Sequence, residues 1–158
     1  MMQSAAPVQG FRYFLRVRYA ECDAQKVVFN ARYGDYVDLA TVEFIRAIGF
    51  GAALMSGELD YQVVRQTTEW QAPARFDDVL ELQVGLVKLG TTSFTLRVEF
   101  RRAGEAGLLA STETVYVNVV PHALTKQALS TDFRAALETG ARDGVIDHAG
   151  ALGASQQR

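Results

Sequence analysis

The sequence is short of the residues that build metal centres and covalent frameworks: one cysteine, Cys22, and two histidines, His122 and His148, in 158 residues. A disulfide framework, a zinc finger or a histidine-rich cage each needs several such ligands converging, so all three are excluded. No apolar run approaches the ~20 residues of a membrane span. Polybasic blocks are missing as well, and 16 basic against 18 acidic residues leave a formal net charge of −2, so there is no electrostatic footprint for nucleic acid or anionic lipid. Met1 to Gly10 has neither the positive start nor the apolar core of an export signal. With a single unpaired thiol, the expected compartment is the cytoplasm. What is present is ordinary for one globular domain, 49% hydrophobic and 22% charged, long enough to bury roughly 70% of the surface of its unfolded chain. The chemistry must therefore rest on carboxylates, hydroxyls and backbone, with no cofactor and no metal.

Hydrophobic periodicity gives the element order. Tyr13, Leu15, Val17 and Tyr19 alternate with Phe14, Arg16 and Arg18, the two-residue period of a strand with one buried face. Tyr33, Val37, Ala40, Phe44 and Ala47 then recur at three- and four-residue spacing, predicting an amphipathic helix over Ala31 to Ile48 with Asn30 as N-cap and Gly49 as stop. Such a helix is about 27 Å long at ~1.5 Å per residue. Gly51 to Asp60 reads as a loop with a short helical turn. Strand patterns follow: Tyr61 to Trp70, ended by Pro73; Leu80 to Leu86 and Phe94 to Arg101, joined as a hairpin through Gly90; and Val115 to Val119, stopped by Pro121. A short helix is predicted over Thr125 to Thr139. Strand, long helix, four strands and short helix make an α+β fold with a curved antiparallel sheet of about five strands. The expected organisation is a flexible N-terminus over 1–10, one domain over 11–140 and a flexible tail over 141–158. One helix leaves a sheet edge and a sheet face in need of cover, which predicts a homodimer or homotetramer.

The segment richest in chemistry is Tyr19-Ala20-Glu21-Cys22-Asp23-Ala24-Gln25-Lys26-Val27-Val28-Phe29-Asn30-Ala31-Arg32-Tyr33. It sets a carboxylate, Asp23, in the loop before a helix start, where unpaired amides and a partial positive charge can polarise a carbonyl. Read from the residues alone, Asp23 is equally a turn former or a partner for Arg18 or Lys26. Cys22 reads as a small core thiol, since neither histidine is placed to activate it. On the helix, Asp35, Asp38 and Glu43 are further acids. Asp38 and Glu43 are separated by roughly 140° and are not expected to face one site. Gly49-Phe50-Gly51 follows a helix rather than a strand and so reads as a turn, not a dinucleotide loop.

Asp23 followed by Asn30 and Tyr33, entering a Tyr-x-x-Tyr-x-Asp-x-Ala helix, resembles the hot-dog-fold thioesterases of the 4-hydroxybenzoyl-CoA thioesterase type. The resemblance runs from about Phe11 to Arg134 and includes the approach Ala72-Pro73 to Phe76-Asp77-Asp78. It implies a sheet wrapped around one long helix and an acyl-CoA thioesterase, with coenzyme A as part of the substrate. It makes Asp23 the nucleophile or general base and the Asn30 backbone amide the oxyanion donor. Val28, Phe29, Tyr33 and Trp70 would border the acyl pocket, with the core as the alternative place for Tyr33, Tyr36 and Trp70. Lys88, Thr92 and Lys126 would meet coenzyme A, and the site would lie between two subunits. The rival readings are an acyl-carrier-protein thioesterase with a basic docking surface around Arg101 and Arg102, and a non-catalytic acyl-CoA or aromatic-ligand binder.

Overall fold

Residues 10–153 are described by a computed structural model. The first strand, β1 (Phe11–Arg16), leads through a single helical turn at Tyr19–Glu21 into the loop before α1 (Arg32–Ile45). A π-helical turn, Arg46–Phe50, then joins α1 to α2 (Gly51–Ser56). Four antiparallel strands follow, β2 (Tyr61–Trp70), β3 (Val79–Leu89), β4 (Ser93–Arg102) and β5 (Leu108–Asn118), and the chain closes with α3 (Thr131–Thr139) and β6 (Val145–Asp147). The sheet order is β2-β5-β4-β3-β1-β6.

The predicted hairpin is present, with Leu82 opposite Phe100 and Val84 opposite Val98. Alternation puts Leu80, Leu82, Val84, Phe94, Leu96, Val98 and Phe100 on one buried face. The apolar stripe of α1, Tyr33, Tyr36, Val37, Ala40 and Phe44, packs there in one continuous core. Fully burying a side chain such as Phe44 stabilises by about 1.5–3 kcal/mol, so this face fixes the helix across the sheet.

Several expectations are corrected. The long helix ends at Ile45 and not at Ile48, so its 14 residues span about 21 Å at ~1.5 Å per residue. Gly49, the expected stop, adopts φ 95°, a left-handed conformation that glycine takes without strain, and the chain resumes as α2, the short helical turn expected over Gly51 to Asp60. Traced through that break, Arg32–Ser56 is 25 residues, long and apolar enough by length and mean composition to cross a bilayer, although Asp35, Asp38, Glu43 and Arg46 interrupt it. Its buried stripe is instead spent on the sheet.

Asn30 is not the N-cap. Ala31 holds that position without a side-chain bond, because the turn before it lets the carbonyls of Phe29 and Asn30 receive the amides of Arg32 (2.8 Å) and Tyr33 (3.4 Å). Tyr19 lies past the end of β1, exposed. The last helix starts at Thr131, where the Ser130 hydroxyl accepts the Phe133 amide at 3.1 Å.

The sheet has six strands rather than five, because the segment expected to be a flexible tail contributes β6. That strand runs parallel to β1, with Tyr13 opposite Ile146; Tyr13 also meets His148 through a 2.8 Å hydrogen bond. Residues 1–9 and 154–158, the remainder of the two expected flexible ends, lie outside the described residues.

At the opposite edge, β2 pairs only with β5 among the described residues. Val63 and Val64 are 50% and 58% exposed and Trp70 47%, although their composition is that of a buried strand.

Candidate active site

The loop between β1 and α1 is held from two sides. Cys22 and Val28 form an antiparallel bridge, closed by a tight turn in which the Asp23 amide donates to the Val27 carbonyl and the Lys26 amide to the Asp23 carbonyl, both at 2.9 Å. Lys26 takes φ 59° to complete the turn, a strained value for a residue with a Cβ. One wall of the loop is the segment before β3: Val28 donates its amide to Ala74 at 2.8 Å, and Phe76 donates to Lys26 at 2.9 Å. The other wall is Glu21, whose carbonyl accepts the Phe29 amide at 3.0 Å.

Asp23 is exposed at the tip of this loop. One carboxylate oxygen accepts the Gln25 amide at 2.8 Å; the other has no partner among the described residues. The turn-forming role is therefore real, but it uses half of the carboxylate. Neither expected cation pairs with it: Arg18 is bound to Glu21, and Lys26 makes no ion pair among the described residues. Asn30 is exposed at the head of α1, and its amide has no acceptor among the described residues. The loop thus presents a free carboxylate oxygen and a free amide, the two groups that acyl transfer from a thioester requires.

Glu21 was not singled out by the sequence, and it is the most heavily bonded side chain here. It is only 7% exposed, and its carboxylate accepts from the Arg18 amide (2.8 Å), the Arg18 guanidinium (3.2 and 2.7 Å) and the Tyr36 hydroxyl (2.8 Å). Burial works to raise its carboxyl, but these donors outweigh that cost and hold it below its ordinary value. Burial and the Glu21 carboxylate push the Tyr36 hydroxyl up. The one available signal was the Arg-x-x-Glu spacing, which places both side chains on one side of a helical turn.

The pocket residues divide. Val28 and Tyr33, expected at the acyl pocket, lie inside the core, as does Tyr36. The Tyr33 hydroxyl accepts the Ala74 amide at 3.3 Å, so it props the loop wall. Phe29 and Trp70 are exposed, and Trp70 stands edge-on to Tyr33 with ring centroids 5.8 Å apart. Cys22 packs partly buried against the core. Desolvation and the carboxylates of Glu21, Asp23 and Asp78 push its thiol up, opposite to the direction a nucleophilic thiolate needs.

Lys88, Thr92 and Lys126 share one end of the sheet, away from Asp23. Lys88 pairs with Thr95 near the β3–β4 turn, the Thr92 carbonyl accepts the Asn118 amide at 2.8 Å, and Lys126 bridges to Val119. All three lie at the hairpin end of the sheet. The Asp23 loop lies at the other end, against residues 74–78, separated by the 11 residues of β3, about 35 Å at ~3.3 Å per residue. Arg101 and Arg102 form no free basic surface. Arg101 pairs with Glu99 at 2.7 Å, and Arg102 with Asp78 at 2.9 Å and Glu105 at 3.8 Å.

A cavity of about 640 Å³ runs along α1, bordered among others by Arg18, Glu21, Asp35, Asp38, Leu39 and Glu43. Asp38 and Glu43, expected to diverge, both border this wide groove. Desolvation and then the Asp35 carboxylate raise the Asp38 carboxyl. A second cavity of about 300 Å³ lies between Tyr13, Tyr36 and His148. Neither cavity is lined by Asp23 or Asn30.

Comparison with known proteins gives concordant results. The sequence model of the thioesterase-like superfamily matches residues 17–137. The chain is similar to the acyl-CoA thioester hydrolase YbgC of Escherichia coli, 35% identical over 120 residues that cover 75% of this chain and 89% of that protein. Among solved structures it resembles a gentisyl-coenzyme A thioesterase, with TM-score 0.70 and 25% identity over 80% of this chain and 98% of the other. A 1,4-dihydroxy-2-naphthoyl-CoA thioesterase from Synechocystis shares the fold, with TM-score 0.71 at 21% identity over 80% of this chain and 94% of that one.

Proposed function

The chain belongs to the thioesterase-like superfamily and is a thioester hydrolase of hot-dog fold, and from that premise we propose that it cleaves acyl-CoA thioesters with Asp23 and the Asn30 amide as its catalytic pair. The observation that carries this reading is their joint presentation: a loop pinned on both sides leaves one Asp23 oxygen and the Asn30 amide unpartnered. An ionised aspartate has two routes to the products. It can attack the thioester carbonyl, expelling the coenzyme A thiolate and forming a mixed anhydride that water then opens; or it can take a proton from the water that attacks. In both, negative charge builds on the former carbonyl oxygen. The Asn30 amide supplies a hydrogen bond to it, reinforced by the positive end of α1.

The working site is a dimer. The exposed edge of β2 supports pairing with β2 of a second copy, which would extend the sheet and cover Val63, Val64 and Trp70. A two-fold axis normal to the sheet at that edge reverses strand direction. It carries the hairpin end of one subunit, with Lys88, Thr92 and Lys126, alongside the Asp23 end of the other. The three coenzyme A candidates then face the catalytic loop of the opposite subunit.

Release of free thiol from a panel of aliphatic and aromatic acyl-CoAs, compared between wild type and Asp23→Asn, tests the assignment. Turnover by the wild type with a loss of at least 10²-fold in the variant is expected. An Asp23→Asn protein with full rate overturns the assignment.

A further inference from the structure

We propose that Glu21 is a positioning residue for hydrolysis, a clamp that sets where the Asp23 carboxylate and the Asn30 amide stand relative to each other. The inference rests on the assignment of Asp23 and Asn30 above and adds the group that holds them in place.

Glu21 is bound through its side chain to the body of the protein and through its backbone to both parts of the loop. The Tyr36 hydroxyl, buried within α1, donates to one carboxylate oxygen at 2.8 Å. Arg18 donates its amide to the same oxygen and its guanidinium to the other. The Glu21 amide donates to the Arg18 carbonyl at 3.0 Å, and the Glu21 carbonyl accepts from Phe29 at 3.0 Å. Phe29 directly precedes Asn30, and Asp23 lies two residues beyond Glu21. Rotation of Glu21 would therefore shift the carboxylate and the oxyanion donor by different amounts.

A buried carboxylate is costly to desolvate, and a well-packed apolar side chain is often as stable in such a place. What four charge-assisted or buried hydrogen bonds confer that apolar packing does not is direction. Direction matters here because acyl transfer from a bound thioester tolerates little misplacement, a displacement of ~1 Å costing on the order of 10²-fold in rate. Substrate affinity, set by contacts with the rest of coenzyme A, is not the quantity the clamp controls.

The test uses the full-length enzyme, with thiol release measured at saturating and limiting acyl-CoA for Tyr36→Phe and Glu21→Gln. Tyr36→Phe removes one hydroxyl from the clamp and keeps the ring. Glu21→Gln keeps an acceptor for Tyr36 and drops the charge. The expected result is a fall in kcat of about 10-fold for Glu21→Gln and 3- to 10-fold for Tyr36→Phe, with KM within about twofold, both measured well below the melting temperature of each protein. Arg18→Lys, which retains a cation without the fork, should fall between wild type and Glu21→Gln. If Tyr36→Phe and Glu21→Gln lower the melting temperature while kcat stays at the wild-type value, or if the whole effect falls on KM, the clamp is only structural and the inference is overturned. Failure of the underlying assignment shows separately, as full activity in Asp23→Asn.

Discussion

Trp70, at the end of the edge strand β2, meets Tyr33 of α1 edge to face, with centroids 5.8 Å apart and planes at 88°. Tyr33 is buried and Trp70 is half exposed. One ring of the pair belongs to the core, and the other is exposed beside the edge at which the second subunit is proposed to pair. Trp70→Ala should therefore cost little in stability, about 0.5–1.5 kcal/mol for the aromatic contact plus its buried area. Its main effect should be on substrate choice, with kcat/KM for aromatic acyl-CoAs falling at least threefold more than for short aliphatic ones. Steady-state kinetics over both classes check this; an equal loss on both would remove Trp70 from the pocket.

The Glu21 carboxyl is held below its ordinary value because its donors outweigh the cost of burial. A depressed folded-state pKa adds stability above the unfolded value, about 4.3, and that stability drains away as the pH falls through it toward the folded value. The midpoint of urea unfolding should thus drop between about pH 5 and pH 3 in the wild type, and the same titration in Glu21→Gln should have a shallower slope. Equal slopes would mean the carboxylate contributes nothing to acid stability.

Lys26 holds a left-handed backbone, φ 59°, in the turn that carries Asp23. Such a conformation costs a residue with a Cβ about 1–2 kcal/mol, partly offset by the extra freedom glycine gives the unfolded chain. Lys26→Gly should stabilise the protein by up to about 1 kcal/mol, seen as a higher melting temperature. A melting temperature lower by several degrees would show that the lysine side chain contributes more than its backbone costs.

Val63 and Val64 make the exposed edge apolar. The double variant Val63→Lys, Val64→Lys should be monomeric by sedimentation and should lose at least 10-fold in thiol release while each chain stays folded, since like charges on an edge block strand addition. A dimer with wild-type turnover would sink the shared-site arrangement.

How much of this was legible in the sequence depended on the range of the forces involved. Leu80, Leu82 and Val84 alternate against Phe94 to Phe100 because one sheet face is buried along its whole length, and the stripe from Tyr33 to Phe44 shows the helix for the same reason. Val145-Ile146-Asp147 is too short to display a period, and its pairing with β1 depends on a partner more than a hundred residues away in sequence. The alternation through Tyr19 continued past the point where Val17, donating to Asp78, turned the chain. Asp23 and Asn30 stood out only through the family resemblance of their segment, since local spacing alone read them as a turn former and an N-cap. Glu21 did not, because a single acid in a polar loop looks like a solvated side chain until Tyr36 is seen beneath it. The separation of Lys88 from Asp23 was not legible either, because it depends on the loop before α1 packing against the far end of β3.

The sheet order also bears on how the chain folds. β3, β4 and β5 follow one another as neighbours through short turns, so their pairing closes small loops at little entropic cost. β2 pairs with β5 across the intervening meander, and non-local pairings of that kind form late. The strand proposed to receive the second subunit is accordingly among the last to be placed. Substitutions at Val84 or Val98 should slow folding, whereas those along β2 should mainly speed unfolding, a contrast that stopped-flow chevrons resolve. The late strand lets the chain complete its own core before it offers an edge to another, which limits the time in which half-folded copies could join wrongly.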